Sequence, residues 1–443
     1  MRILLYGINH APELTGIGKY TGELVAYLAA RGDEVEVVTA PPYYPAWEVR
    51  PPYRNAYLRE RRSGATVLRS PLYVPRRPTG LRRIAHEASF VLSSLRWWLP
   101  RLARRYDAIL VVNPPFHLGF VALAHRALRG TPVVCHVQDL QVDAARDLGI
   151  LPDGPVLRLL EGAERWLYAR VDALSTISEG MRRRLATKGV PAGDIWLLPN
   201  WLDASRVYPL PQNESLRSRW GIPPGDKVVL YAGNLGAKQG LEAIPRLAER
   251  FADRPDVHFV VVGEGGTRAE LVAEVERRGL VNVRFFPLQP LADLAAMLAA
   301  ADVHLVLQRR AAADLVMPSK LLNIVAAHGH ALVTAEPGTT LHDVVAGQRL
   351  GTVVAPEDDG ALAEGLERIL TGAAAGDTAG LAAGAAAMSR EAILPAFRER
   401  LVGLSARRRP DRLHPVLAGV ALLTVALVIA ATRARNSSTA LRV

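Results

Sequence analysis

Cysteine is nearly absent from this chain: Cys135 is the single one in 443 residues. One thiol can neither close an internal disulfide nor supply a multi-cysteine zinc site, which fits a reducing compartment. Acidic residues are also outnumbered. Asp and Glu total 43 against 54 Lys and Arg, a formal net charge of +11 carried mostly by arginine. That excess points to an anionic partner: phospholipid, nucleic acid or a phosphorylated substrate. The opening Met1 to Tyr6 is too short for the apolar core of a secretory signal and runs straight into a glycine-containing loop. There is no Asp-x-Asp metal motif, and Glu357-Asp358-Asp359 is expected in a surface loop. A nucleic-acid reading motif is missing too, so no nucleic-acid partner is expected.

What is present describes a globular chain, with 49% hydrophobic and 22% charged residues. The length predicts two domains of roughly 200 residues each. In the first half, apolar strands are predicted at Ile3–Ile8, Val35–Thr39, Ala108–Asn113, Pro132–Val137 and Ala173–Ile177, with an amphipathic helix over Gly18–Ala30. The second half repeats the pattern: strands at Lys227–Ala232, Val257–Gly263, Val283–Phe286, Val303–Gln308 and Ala331–Thr334, with a helix over Gly240–Phe251. Short apolar runs alternating with helices imply parallel sheets covered on both faces. The fold class is therefore α/β, two Rossmann-like doubly wound domains over 1–205 and 206–405, separated by the Pro-containing stretch 209–224. Ligands are expected at the carboxyl ends of the strands, in a cleft between the domains.

Residues 413–432 carry no Asp, Glu, Lys or Arg. As a helix they would reach about 30 Å, the hydrocarbon thickness of a bilayer. Arg407, Arg408, Arg409 and Arg412 precede this segment, and Arg433, Arg435 and Arg442 follow it. A membrane span or deeply inserted anchor is expected, with the main body weakly placed in the cytoplasm by the arginines; a buried core helix is the alternative. Eight arginines and one acid, Glu87, lie between Arg76 and Arg105, among Phe90, Leu92, Leu95, Trp97, Trp98 and Leu99. Such a helix either meets the headgroups of a membrane or packs its tryptophans in the core with a solvated basic face.

Three glycine turns follow strands. In APELTGIGKYTGEL, Gly16 and Gly18 open a helix and offer backbone N–H groups to a phosphate or sugar oxygen, although the turn is equally open to a structural reading. With glycines at 16, 18 and 22 the dinucleotide fingerprint is incomplete, and the second strand ends Thr39-Ala40-Pro41 without an acid for a ribose, which disfavours a nicotinamide or flavin enzyme. In the second half, YAGNLGAKQGLE and VVGEGGTRAEL place Gly233 and Gly263, the latter followed by Glu264, at turns expected to converge on one crevice. Lys238 could offset diphosphate charge there, or be a solvated loop lysine.

The order and spacing of PPYYPAW (41–47), CHVQDLQVD (135–143), GNLGAKQGLE and VMPSKLLNIVAAHGHALVTAE (316–336) resemble the retaining glycosyltransferases of family 4, which have the GT-B arrangement. Within that family the chain looks most like the colanic-acid fucosyltransferase type. The resemblance spans Met1 to about Leu404. It implies an acceptor-binding first domain, a nucleotide-sugar-binding second domain, retention at the anomeric carbon, and neither a cofactor nor an obligatory metal. His136 matches the family's active-site histidine, with Asp139 either orienting it or contacting the sugar. Asn234 and Gln239 stand where the family usually has Arg and Lys. Asn323 takes the place of the ribose-binding glutamate, and Leu315 that of its partner eight residues earlier, with Asp314 beside it. Lys320 is a second candidate for the diphosphate. The expected substrates are a GDP- or UDP-linked sugar and a lipid-linked saccharide in exopolysaccharide or cell-envelope synthesis, at the cytoplasmic side of the cell membrane. A nucleotide-sugar epimerase, a soluble sugar-phosphate transferase and a catalytically degenerate membrane scaffold are the alternatives.

Overall fold

The structure is a computed structural model that describes residues 1–13, 16–76, 80–147, 152–203, 207–236, 239–313, 320–373 and 378–406. Two compact units are resolved: Met1–Leu198 together with the chain from Leu394, and Pro199–Ile393. The sequence pattern had placed the division near 205 and the last helix in the second domain.

Unit 1 contains β1 (Arg2–Tyr6), α1 (Gly16–Ala30), β2 (Glu34–Thr39), β3 (Leu58–Arg62), β4 (Ala65–Arg69), α2 (Gly80–Arg101), β5 (Ala108–Asn113), α3 (Leu118–Arg129), β6 (Val133–Val137), α4 (Gln141–Asp147), α5 (Pro155–Tyr168), β7 (Ala173–Thr176), α6 (Glu179–Ala186) and β8 (Ile195–Leu197). The sheet order is β3-β4-β2-β1-β5-β6-β7-β8, parallel except for the β3–β4 hairpin at one edge. Of the interior strands, β1, β2, β5, β6 and β7 are the predicted apolar runs, whereas β4 was not predicted. Ile3, Leu4, Leu5 and Tyr6 of β1 are wholly buried, as a strand covered on both faces must be.

Unit 2 contains β9 (Lys227–Ala232), α7 (Ala243–Glu249), β10 (Val257–Val262), α8 (Arg268–Arg277), β11 (Val283–Phe286), α9 (Leu294–Ala299), β12 (Val303–Val306), α10 (Lys320–Ala326), β13 (Ala331–Thr334), α11 (Thr340–Gly347), β14 (Gly351–Val354), α12 (Asp359–Leu370) and α13 (Thr378–Ala387). Its sheet, β11-β10-β9-β12-β13-β14, is parallel throughout. Alternate residues feed two cores: Val228 and Leu230 of β9 join one cluster, Val229 and Tyr231 the other. The strand order reverses between β9 and β12, and in unit 1 between β1 and β5. In this class of fold, ligands bind outside the carboxyl ends of strands at such a reversal.

Four expectations change. The stretch 209–224 is no free linker, because Leu216, Trp220 and Ile222 are buried in the unit 2 core and Trp220 stacks on Phe286 at 5.0 Å. Glu357-Asp358-Asp359 is a helix start: Asp358 accepts the Ala361 N–H at 2.9 Å, and Asp359 pairs with Arg246. The basic helix α2 divides. Trp98 and Phe90 are core residues packed on Tyr6, with ring centroids at 5.0 and 5.7 Å, whereas Leu92 and Leu99 are 67% and 65% exposed. Finally α14 (Arg390–Ser405), although it begins in unit 2, packs on unit 1, where Arg398 binds Asp33 at 2.7 and 3.0 Å. The apolar segment 413–432 lies outside the described residues. Among the described residues, no helix is long and apolar enough to cross a membrane.

Candidate active site

In unit 1 the expected histidine sits at the carboxyl end of β6. His136 is buried between Val112 of β5 and Ser175 of β7, and its Nδ1 lies 2.9 Å from the Ser175 hydroxyl. Burial lowers its pKa to about 4, so the ring is neutral near pH 7 and works through hydrogen bonds, not as a cation. Ser175 was invisible to sequence reasoning, since only strand pairing brings it to His136. Asp139, two residues beyond β6, is half-buried and close enough to Tyr44 for its charge to help raise the phenol pKa, after burial and the charge of Glu13.

The loop after β1 holds a second residue that the sequence did not announce. Glu13 is buried, and its Oε1 accepts the N–H groups of Tyr43 and Tyr44 at 3.1 and 3.0 Å, while Asn9 donates to Oε2 at 3.0 Å. Burial nevertheless lifts its pKa to about 7. Gly18 is explained by this carboxylate: a Cβ there would lie 2.3 Å from Glu13 Oε2. Gly16, at φ +61°, is covered by the Tyr44 ring, 3.4 Å from where its Cβ would stand. The missing side chains of the first glycine loop are therefore used for packing within unit 1. Glu87, the one acid of the basic run, also turns inward. It accepts from Gln141 Nε2 of α4 at 2.7 Å, and burial raises its pKa to about 7.

In unit 2 the two glycine turns do converge. Gly233 N–H donates to Val262 at 2.9 Å and Leu235 N–H to Glu264 at 3.0 Å, so the turns after β9 and β10 are stitched together through their backbones. Gly263, at φ +155°, brings its α-carbon so close to Gly233 that a Cβ would meet the Gly233 oxygen at 1.9 Å. The N–H groups of Gly233, Leu235 and Gly263 are committed to backbone carbonyls.

Positive charge comes instead from Lys320 at the start of α10. Its Nζ lies 3.6 Å from the centroid of the Tyr231 ring and packs on Gly233. The residue as a whole is half-buried, but Nζ is shut off from solvent and has no hydrogen-bond partner among the described residues. Burial lowers its pKa to about 7. Tyr231, also missed by sequence reasoning, is itself fixed by donating its hydroxyl to the Asn234 carbonyl at 2.9 Å. Asn323 lies three residues after Lys320 and half-buried, so it shares that helix face. Gln239 presents a buried Oε1 without a hydrogen-bond partner among the described residues. Asn234 and Glu264 are exposed, Glu264 at 3.8 Å from Arg268. Lys238 lies outside the described residues, as do Asp314 and Leu315.

Lys320 thus sets a buried amine, without a hydrogen-bond partner among the described residues, beside the paired glycine turns at a strand-order reversal. Residues 15–201 match the glycosyl transferase 4-like domain and residues 212–379 the glycosyl transferases group 1 domain. A colanic acid biosynthesis glycosyl transferase, WcaI of Escherichia coli K12, is 42% identical over 379 residues, covering 84% of this chain and 92% of that protein. The chain is a family 4 glycosyltransferase. Its GT-B fold is shared with solved structures of low sequence identity. A sucrose-phosphate synthase from Thermosynechococcus elongatus is 20% identical with a TM-score of 0.72, over 91% of this glycosyltransferase and 99% of that chain. Anabaena HepE, solved in complex with UDP and glucose, is 16% identical with a TM-score of 0.65, over 91% and 100% of the two chains.

Proposed function

We propose that this glycosyltransferase takes a sugar from a nucleoside diphosphate donor held on unit 2 and transfers it, with retention, to a lipid-linked saccharide held on unit 1, in exopolysaccharide or cell-envelope synthesis. The observation that carries the reading is Lys320, an ammonium without a hydrogen-bond partner among the described residues, set against Tyr231 and Gly233 where a diphosphate would complete it. The likeness to the E. coli colanic acid enzyme supports polysaccharide synthesis, and the UDP held by HepE supports a nucleoside diphosphate.

In the proposed reaction the bond from the anomeric carbon to the diphosphate oxygen breaks as the acceptor oxygen attacks the same face. The acceptor proton passes to the departing diphosphate. Lys320 stabilises the charge that develops on this leaving group. His136, neutral and anchored on Ser175, hydrogen-bonds the donor sugar. Asn323 and Gln239 offer amides to ribose hydroxyls or phosphate oxygens. The outward Leu92, Arg96 and Leu99 of α2, with the segment 413–432, hold the enzyme to the cytoplasmic face of the membrane.

The test is a donor screen. GDP-fucose and a series of UDP- and GDP-linked radiolabelled sugars are offered to the full-length enzyme with a lipid extract of the native membranes. Label entering the lipid fraction from one donor, with the anomeric configuration of that donor kept, is the expected result. Label lost only as free sugar would reject a lipid-linked acceptor, and inversion would reject retention.

A further inference from the structure

The first glycine loop poses a question that donor binding does not answer. A carboxylate is costly to bury, and the chain buries one at Glu13 beneath three N–H donors, with a glycine at position 18 to make room for it. What this arrangement holds in place is the backbone of Tyr43 and Tyr44. The two aromatic rings then diverge. Tyr43 turns inward and packs edge-on against His86 at 4.7 Å. Tyr44 stays 43% exposed, with its ring laid on the bare α-carbon of Gly16. The charges that face its phenol are Glu13 from the β1 loop, Arg83 from α2 and Asp139 from the β6 loop.

We propose that Tyr44 is a contact for the acceptor saccharide and that Glu13 is the residue that positions it. An exposed aromatic face flanked by carboxylate and guanidinium groups suits a pyranose: the ring takes the apolar C–H face, and the charged groups orient the hydroxyls. The ligand is neutral, which fits a surface where Asp139 and Arg83 are both at hand and neither sign dominates. Glu13 itself cannot touch a sugar, since Oε1 is occupied by the two tyrosine N–H groups and Oε2 lies against Gly18. It acts through Tyr44, by fixing both the height of the loop and the seat of the ring. The spacing Glu13, Gly16, Gly18 thus becomes one interlocking device. This inference rests on the assignment of the acceptor to unit 1.

The experiment uses the full-length enzyme, the membrane lipid extract as acceptor and whichever labelled donor the wild type accepts. Tyr44→Ala is expected to raise the extract concentration for half-maximal transfer about tenfold, while calorimetric binding of UDP or GDP stays at the wild-type value. Glu13→Ala is expected to match it, and the double variant to be no worse than either single one, because both changes remove the same contact. Glu13→Gln keeps the volume and one accepting oxygen, and should cost about threefold. If Glu13→Ala fails to fold, the cycle is closed with Glu13→Gln in its place. Unchanged half-saturation in Tyr44→Ala, or effects of the two positions that multiply, overturns the proposal. A wild type that transfers from no donor overturns the functional reading, and this proposal with it. Wild-type transfer that Tyr44→Ala leaves intact overturns this proposal alone.

Discussion

The two units carry one sheet architecture and opposite kinds of site chemistry. Unit 1 surrounds the ends of its strands with groups whose charged forms burial disfavours: His136 with its pKa near 4, and the carboxyls of Glu13 and Glu87 raised to about 7. Unit 2 offers backbone turns and the Lys320 amine, which has no hydrogen-bond partner among the described residues. Desolvation drives the shift in every case and disfavours the charged form on both units, so the Lys320 ammonium is held at a cost that an anion beside it would offset. A parallel sheet supplies the place. The residues at the strand ends decide what is bound there.

That contrast can be broken at several points. The largest effect is expected at Gly263→Ala, where the new Cβ would fall 1.9 Å from a backbone oxygen and the φ of +155° is strained for any other residue. Unit 2 should lose about 3 kcal/mol in denaturant unfolding; a loss below about 1 kcal/mol would mean that the turns are not locked together. Next comes Lys320→Ala. Binding of UDP or GDP and sugar transfer should each fall about a hundredfold, the scale of about 2.7 kcal/mol for a lost charged contact. The same lysine sets a pH dependence. It is charged below its pKa of about 7, whereas above it the free enzyme must take up a proton to bind the diphosphate. Affinity for UDP or GDP should therefore decline as the pH rises from 7 to 9, and Lys320→Arg should remove that slope.

His136→Ala should reduce transfer at least roughly tenfold, or about 1.4 kcal/mol, with the melting temperature preserved. Because His136 is neutral well above pH 4, the wild-type rate should show no inflection near 6.5 that vanishes in this variant. The smallest effect on the fold belongs to Leu92→Ser with Leu99→Ser. Both positions are exposed, so stability should move by less than about 0.5 kcal/mol. Sedimentation with phosphatidylglycerol-containing vesicles should weaken, while vesicle binding equal to the wild type would remove α2 from the membrane face.

Much of this was legible in the sequence, and what was not has identifiable causes. Interior strands such as Ala108–Asn113 and Lys227–Ala232 were bounded to the residue, because a strand covered on both faces must be an unbroken apolar run. The edge strand β3, Leu-Arg-Glu-Arg-Arg, was missed for the converse reason: it lies at the rim and buries almost nothing. At the site, the convergence of the Gly233 and Gly263 turns followed from strand-turn-helix grammar, and the candidacy of Lys320 from the resemblance to family 4. Ser175 beneath His136 and Tyr231 beneath Lys320 did not, since each is a cross-strand or cross-loop neighbour with no mark of its own. Glu13 could have been noticed from its fixed distance to Gly16 and Gly18. Its burial could not.

The backbone stitching of the two unit 2 turns also determines where this enzyme can change. At positions 263 and 265 any side chain would strike the carbonyl of Gly233 or Leu235, so saturation libraries there should return almost only the parent glycine. Asn234 and Glu264 stand on the same two turns with their side chains in solvent. Diversity introduced at those two positions leaves the frame intact and alters only the rim of the turns.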